Sequence, residues 1–291
     1  MAQWLEERGW LERAVILPMA IAPRAEWRTA RDTYFRVWRA DSQIKRLLAL
    51  ELHPYFERYT DIWAIPLRSY HPTACQRLLN GMSLTAPLPA PPERVQASSC
   101  GPSWGRSLHE TTAEDAYDGC LFTWWCSKKA PAGGKSEWIE VRFREPVRTD
   151  RFRVWWVPGL EPETINVDTS YDGRVFARAA VEWEHFAPIA PYDQSWSEGQ
   201  FQLEKTFRAI RLEFFRSRRG GPIGITEFEF GQPPDFQASE SIDPIELWLC
   251  PLEGEFPSLA PDVHPIEARL VGWICWGHEF TGVILSSLNH W

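Results

Sequence analysis

No Cys-x-x-Cys pair occurs in this chain. Its six cysteines, at positions 75, 100, 120, 126, 250 and 275, also lack the paired spacing of a zinc site, so neither thiolate-metal nor thioredoxin-type chemistry is indicated. A secretory signal is missing as well. The amino terminus carries acid early and has only a brief apolar run, Ala14 to Ile16, before Leu17-Pro18. The thiols are therefore expected to be reduced and the protein to be intracellular, with cytoplasm, cytoskeleton, cilium and organelle left open. No apolar run is long enough to span a bilayer, because His278 and Glu279 interrupt the best candidate, residues 270–288. A surplus of positive charge is absent too. Against 39 Asp and Glu stand 31 Lys and Arg, a net charge of -8, which argues against a nucleic-acid partner. Arg216, Arg218 and Arg219 crowd into RSRRGG, but the glycines beside them read as a solvated loop between strands.

Catalytic signatures are also scarce. The seven His form no HExxH or clustered pattern. The match to GxSxG at Gly101-Pro102-Ser103-Trp104-Gly105 follows a Pro-rich stretch and leads into another loop, whereas a nucleophile needs a strained turn between strand and helix. Glu182 and Glu184 share one face of a strand with no second carboxylate placed opposite them for glycoside chemistry. The chain is not expected to be an enzyme.

What the chain does have is aromatic mass: 17 Trp, beside 24 Pro. So many large rings fill a core first and leave the rest as apolar contact surface. The strongest pattern runs from Trp138 to Val157. Ile139, Val141 and Phe143 alternate with Glu140, Arg142 and Arg144, and Phe152, Val154 and Trp156 alternate with Arg151, Arg153 and Trp155. This period of two predicts two half-buried strands, joined at Glu145-Pro146 by a short turn. Further strands are expected at 164–170, 174–181, 207–215 and 223–230, with a tight Tyr171-Asp172-Gly173 turn between the first two. Many short strands without intervening helices imply a β-sandwich.

The flanks read differently. Residues 1–86 are expected to form a helical extension, with a short helix ended by Pro18 and an amphipathic helix running from Trp27 to Leu52 before Pro54. Residues 87–99, rich in Pro, read as an extended linker, and 100–231 as the sandwich. Residues 232–291 form a tail in which Ile245, Leu247 and Leu249, and then Leu270, Gly272 and Ile274, alternate as strands that can add to the sandwich.

The succession AYDGCLFTWWCS, WIEVRFREPVRTDRFRVWW, INVDTSYDGRVF, FRAIRLEFF and GITEFEFG resembles the discoidin or coagulation-factor type C family over roughly residues 95–231. The resemblance implies a galactose-binding-like jelly-roll sandwich with a ligand surface made by loops at one end. Members bind sugars, membrane lipids or proteins, and related intracellular domains are subunits of large complexes. Asp118-Gly119 is followed by Thr123 and Trp124-Trp125, with Cys120 where the family often has Asn. By the same resemblance Asp118, Thr123 and Glu227 match a structural calcium site, whose oxygen ligands suit the ion; the alternative is that Asp118 caps a turn and Glu227 is an exposed strand residue. No Cys stands near Gly231 to close the domain as secreted members do.

For a ligand, an aromatic platform ringed by polar groups is needed, and Trp104, Arg106, His109, Trp125 and Trp196 are the candidates. The leading expectation is a non-catalytic interaction subunit of a large intracellular assembly, binding protein partners through sandwich loops and Trp-rich extensions. The alternatives are a carbohydrate-binding module and a peripheral membrane protein attached through Trp273, Trp276 and Phe280. No cofactor is required beyond the calcium that the resemblance implies.

Overall fold

A computed structural model describes residues 2–17, 26–49, 52–66, 70–88, 90–101, 111–131, 135–189, 194–230, 240–250 and 265–284. In chain order the helices are α1 (Ala2–Glu6), α2 (Trp27–Ala40), α3 (Pro72–Leu79) and α4 (Pro265–Gly277). The strands are β1 (Val15–Ile16), β2 (Lys45–Ala49), β3 (Ile62–Ile65), β4 (Pro92–Ala97), β5 (Trp125–Cys126), β6 (Glu137–Trp156), β7 (Pro162–Ser170), β8 (Ala177–Ala179), β9 (Val181–Ile189), β10 (Gln194–Ser217), β11 (Gly224–Phe230), β12 (Glu246–Leu249) and β13 (Gly282–Val283). The chain forms two compact units. Among the described residues, one unit is drawn from 1–84 and 240–291 and the other from 85–239.

The first unit is not a helical extension. Its centre is a parallel sheet in the order β1-β2-β3-β12-β13. The helix expected to run from Trp27 to Leu52 stops at Ala40, where Asp41 leaves helical geometry and its carboxylate accepts a hydrogen bond from the Gln43 N–H. Leu47 and Leu48 belong instead to β2, whose last four residues are all buried. A central parallel strand, covered on both faces, is a continuous apolar run, and here that run imitates the next turns of an amphipathic helix. The Tyr34 hydroxyl of α2 donates to the Leu47 carbonyl at 2.6 Å, tying helix to strand. The tail contributes to this sheet and not to the sandwich, since β12 pairs with β3 from Glu246↔Ile62 to Leu249↔Ile65. Leu270, Gly272 and Ile274 lie in α4, so the alternation expected there as a strand is helical.

The second unit is a β-sandwich. Its two longest strands, β6 and β10, pair antiparallel and each passes from one layer to the other. The amino-terminal half of β6 pairs with β4 and with the end of β10, which also carries β7 and then β8. Its carboxy-terminal half pairs with β11 and with the start of β10, which also carries β9, while β5 borders β11. Glu145-Pro146 is therefore not a hairpin turn between two paired strands. It lies in a bend within one strand, where the register with β10 shifts between Val147↔Phe207 and Arg142↔Ala209. Pro146 has no N–H to give the ladder, which suits the bend.

The alternation expected from Trp138 to Val157 holds on both sides of that bend. Ile139, Val141, Phe143, Phe152, Val154 and Trp156 all face the core and are no more than 2 % exposed. Trp156 meets Phe214 with ring centroids 6.2 Å apart, and Phe143 meets Phe230 edge to face at 5.0 Å, so the two layers interlock. Part of the expected linker is structural, because β4 pairs with β6 at Val95↔Val141 and Ala97↔Ile139. All six cysteines are free.

Candidate functional site

β10 bends far enough that both of its ends reach one place. Ser195, Trp196 and Ser197 at its start and Arg218 just beyond its end meet Trp156 at the end of β6, Glu161 and Pro162 at the start of β7, and His185 and Phe186 on β9. Together they line a cleft of about 350 Å³. That volume is at the small end for a ligand site.

The cleft has an aromatic wall and a polar floor. Trp196 lies opposite Trp155 of β6 and Phe186 of β9 in the strand register. The Phe186 ring stacks on Trp196 at 3.7 Å with planes 12° apart, and the Arg153 guanidinium sits 4.2 Å from the same ring centroid. Phe186 covers one face of the indole, so the guanidinium lies against the other, a cation–π contact. Arg153 is fixed in turn by Glu198, to which its Nη2 donates at 3.0 Å. Trp196 is half-buried and presents its edge rather than a face to a ligand.

On the floor, the Ser197 hydroxyl is a junction. Trp156 Nε1 donates to it at 2.7 Å and His185 Nδ1 lies 2.6 Å away. An indole N–H can only donate, so the serine oxygen accepts from Trp156 and makes a second hydrogen bond with Nδ1, whose direction follows the imidazole tautomer. Burial, and then the charge of Arg218, hold His185 below its ordinary value and so favour the neutral imidazole. Glu161 Oε1 accepts from Gly159 N at 3.2 Å and from the Ser195 hydroxyl at 3.0 Å.

A second cluster joins all three residues of the expected calcium set. The Thr123 hydroxyl lies 3.0 and 2.8 Å from the two oxygens of Asp118, and Asp118 Oδ1 accepts from Cys120 N at 2.9 Å. Glu227 is no exposed strand residue. It is fully buried on β11, with Oε2 accepting from Gly119 N at 2.7 Å and Cys120 N at 3.1 Å. Gly119 makes this approach with a positive φ of 78° that a side chain would strain. Burial and the charge of Asp118 push the Glu227 carboxyl well up, and Glu229 adds to the push. Two acids that oppose each other's ionisation, one of them bonded to a hydroxyl, are hard oxygen donors that fit calcium. Next to them Glu229, also buried, accepts from Trp155 Nε1 at 2.7 Å and is pushed up to about 7 by burial.

The expected platform divides. Trp196 lines the cleft. Trp125 does not, because it is wholly buried and its Nε1 donates to the Ser99 carbonyl at 2.9 Å, which makes it a core residue. Trp104, Arg106 and His109, together with Ser103 of the GxSxG match, lie outside the described residues. Glu161, His185, Phe186 and Arg218 escaped sequence reasoning. Only Arg218 carried a signal, in RSRRGG, where flanking glycines pointed to a loop.

No protein-family model matches the chain, and no curated protein matches it. Among solved structures it is similar to chitosan-binding module 1 from a chitosanase/glucanase of Paenibacillus sp. IK-5, at 18 % identity and a TM-score of 0.38, covering 49 % of this chain and 97 % of that one. It is similar to CpGH89CBM32-5 from Clostridium perfringens in complex with GalNAc-β-1,3-galactose, at 19 % identity and a TM-score of 0.36, covering 47 % and 94 %. It is also similar to the CBM32 of AlyQ in complex with 4,5-unsaturated mannuronic acid, at 16 % identity and a TM-score of 0.35, covering 49 % and 97 %.

Proposed function

We propose that the sandwich is a carbohydrate-binding module that holds sugar in the cleft between β6, β7, β9 and β10 without chemical turnover. The observation that carries this reading is a small concave site in which ring edges border hydrogen-bonding groups with no partner among the described residues: His185 Nε2, Glu161 Oε2 and the Arg218 guanidinium. Sugars present both apolar C–H patches and hydroxyls that donate and accept, and such a lining satisfies both. Ser197 is 1 % exposed and held by two ring nitrogens, which suits it to fixing His185 rather than to attacking a substrate.

In this proposal Asp118, Thr123 and Glu227 would hold a calcium ion, which when bound supplies positive charge to a buried acidic pair. Its role is structural, keeping the 118–123 loop against β11.

A glycan array probed with the full chain tests the reading. Binding is expected, and Trp196→Ala is expected to abolish it in a protein that remains folded, because Phe186 and Arg153 lose the ring they clamp. Trp125→Ala is expected instead to lower stability by about 3–5 kcal/mol, the range for a large buried ring. An array blank for neutral, amino and acidic sugars alike would sink the proposal.

A second reading, an interaction subunit, draws on Trp273 and Trp276 of α4, which are 73 % and 87 % exposed. Phe280, expected beside them at a membrane, is buried. No helix among the described residues is long and apolar enough to cross a membrane. If α4 meets a protein partner, Trp273→Ala with Trp276→Ala should remove that partner from a native-extract pull-down and leave sugar binding intact; an unchanged pull-down would dismiss it.

A further inference from the structure

We infer that the sugar held in this cleft carries a carboxylate, a hexuronic acid unit, and that Arg218 pairs with its charge; the inference rests on the carbohydrate reading above. It begins with an imbalance of charge. The chain carries eight more acidic than basic groups. Yet Arg216, Arg218 and Arg219 make no ion pair among the described residues. Of these, Arg218 lines the cleft. Its backbone N–H donates to the Glu161 carbonyl at 3.1 Å, but its guanidinium is not within ion-pair distance of the Glu161 carboxylate. That carboxylate is turned to Gly159 N and the Ser195 hydroxyl instead.

The guanidinium therefore borders the cleft with its donors uncommitted, while its charge is felt by His185 on the facing strand. Arg219 packs beside it against Gly159. The uncommitted groups are the planar fork of Arg218, which can only donate, Nε2 of His185, and one oxygen of Glu161 that can accept from a sugar hydroxyl. A guanidinium matches a carboxylate through two parallel hydrogen bonds, and this geometry separates an acid from its neutral ester.

Calorimetric titration of the full chain with trisaccharides of galacturonate, mannuronate and glucuronate, each alongside its methyl ester, tests this. At least one acidic trisaccharide is expected to bind at least ten times more tightly than its ester, and added salt should weaken it. Arg218→Gln should weaken the acid roughly tenfold or more, as expected for loss of a charged hydrogen bond, and weaken the ester by less, so that the preference for the acid disappears. The Arg218 side chain is exposed, so this variant is expected to fold normally. Equal affinity for acid and ester, or an Arg218→Gln protein that still prefers the acid, overturns the inference. Neutral sugars bound with all uronates refused would overturn it and leave the carbohydrate reading standing; no sugar bound at all defeats both.

Discussion

Glu227 is the residue whose chemistry most needs a partner. Its buried carboxylate accepts backbone N–H groups from Gly119, Cys120 and Phe228 and faces a second acid, Asp118. If calcium settles there, adding it to chelator-treated protein should raise the melting temperature, with about 2.7 kcal/mol of stabilisation at a hundred times the dissociation constant. Glu227→Gln should abolish the rise; an unchanged melting curve in the parent protein would dismiss the ion. Asp172 shows the opposite behaviour at the surface. Its Oδ1 accepts from Arg174 N at 2.8 Å, Val175 N at 3.0 Å and the Ser170 hydroxyl at 3.0 Å, and these bonds hold the carboxyl down to about 2, below its ordinary 3.8. A carboxyl lowered by folding stabilises the fold when ionised, so its contribution is complete above pH 3.8 and is lost as pH falls through about 2. The urea midpoint of Asp172→Ala should lie below that of the parent at pH 7, and the gap should narrow below pH 3.8. A gap that stays constant into acid would show that the ionised form contributes nothing.

Among the elements, β10 depends most on one small residue. A Cβ placed on Gly199 would lie 2.5 Å from Cζ of Phe152, whose ring is fixed by Trp183, Phe201 and Phe228 at 5.2 to 5.4 Å. Gly199→Ala is expected to cost about 1–3 kcal/mol, as overpacking does, and a urea midpoint equal to the parent's would show that the ring can yield. At this scale the sequence was most readable where one face of a strand meets the core. The alternation from Ile139 to Trp156 gave the inward residues of β6 correctly, because a half-buried strand imposes period two on its side chains. It gave no sign that β6 bends rather than turns back, since Glu145-Pro146 interrupts a ladder in either case. β2 was misread for the converse reason: a strand covered on both faces has no alternation to show. The cleft was harder still. Trp196 stood out as a large ring, but His185 and Glu161 gain meaning only when β9 and the start of β7 are brought beside it, a pairing that period and composition do not encode.

Across the whole molecule, the parallel sheet is assembled from the two ends of the chain while the sandwich occupies its middle. β12 lies between β3 and β13, and its removal would leave β3 as an open edge with Ile62, Trp63, Ala64 and Ile65, all at most 1 % exposed in the fold, beside it. A chain ending after residue 239 is therefore expected to aggregate, as bare apolar edges do. Recovery of that truncated chain as soluble monomer by size-exclusion chromatography would count against an essential role for the tail. The same division bears on synthesis. As the chain leaves the ribosome, β1, β2 and β3 emerge first but cannot complete their sheet until β12 and β13 follow, after the entire sandwich has been made. The parallel sheet is thus begun before the sandwich and finished after it, and in that interval its unpaired strand edges are exposed to aggregation.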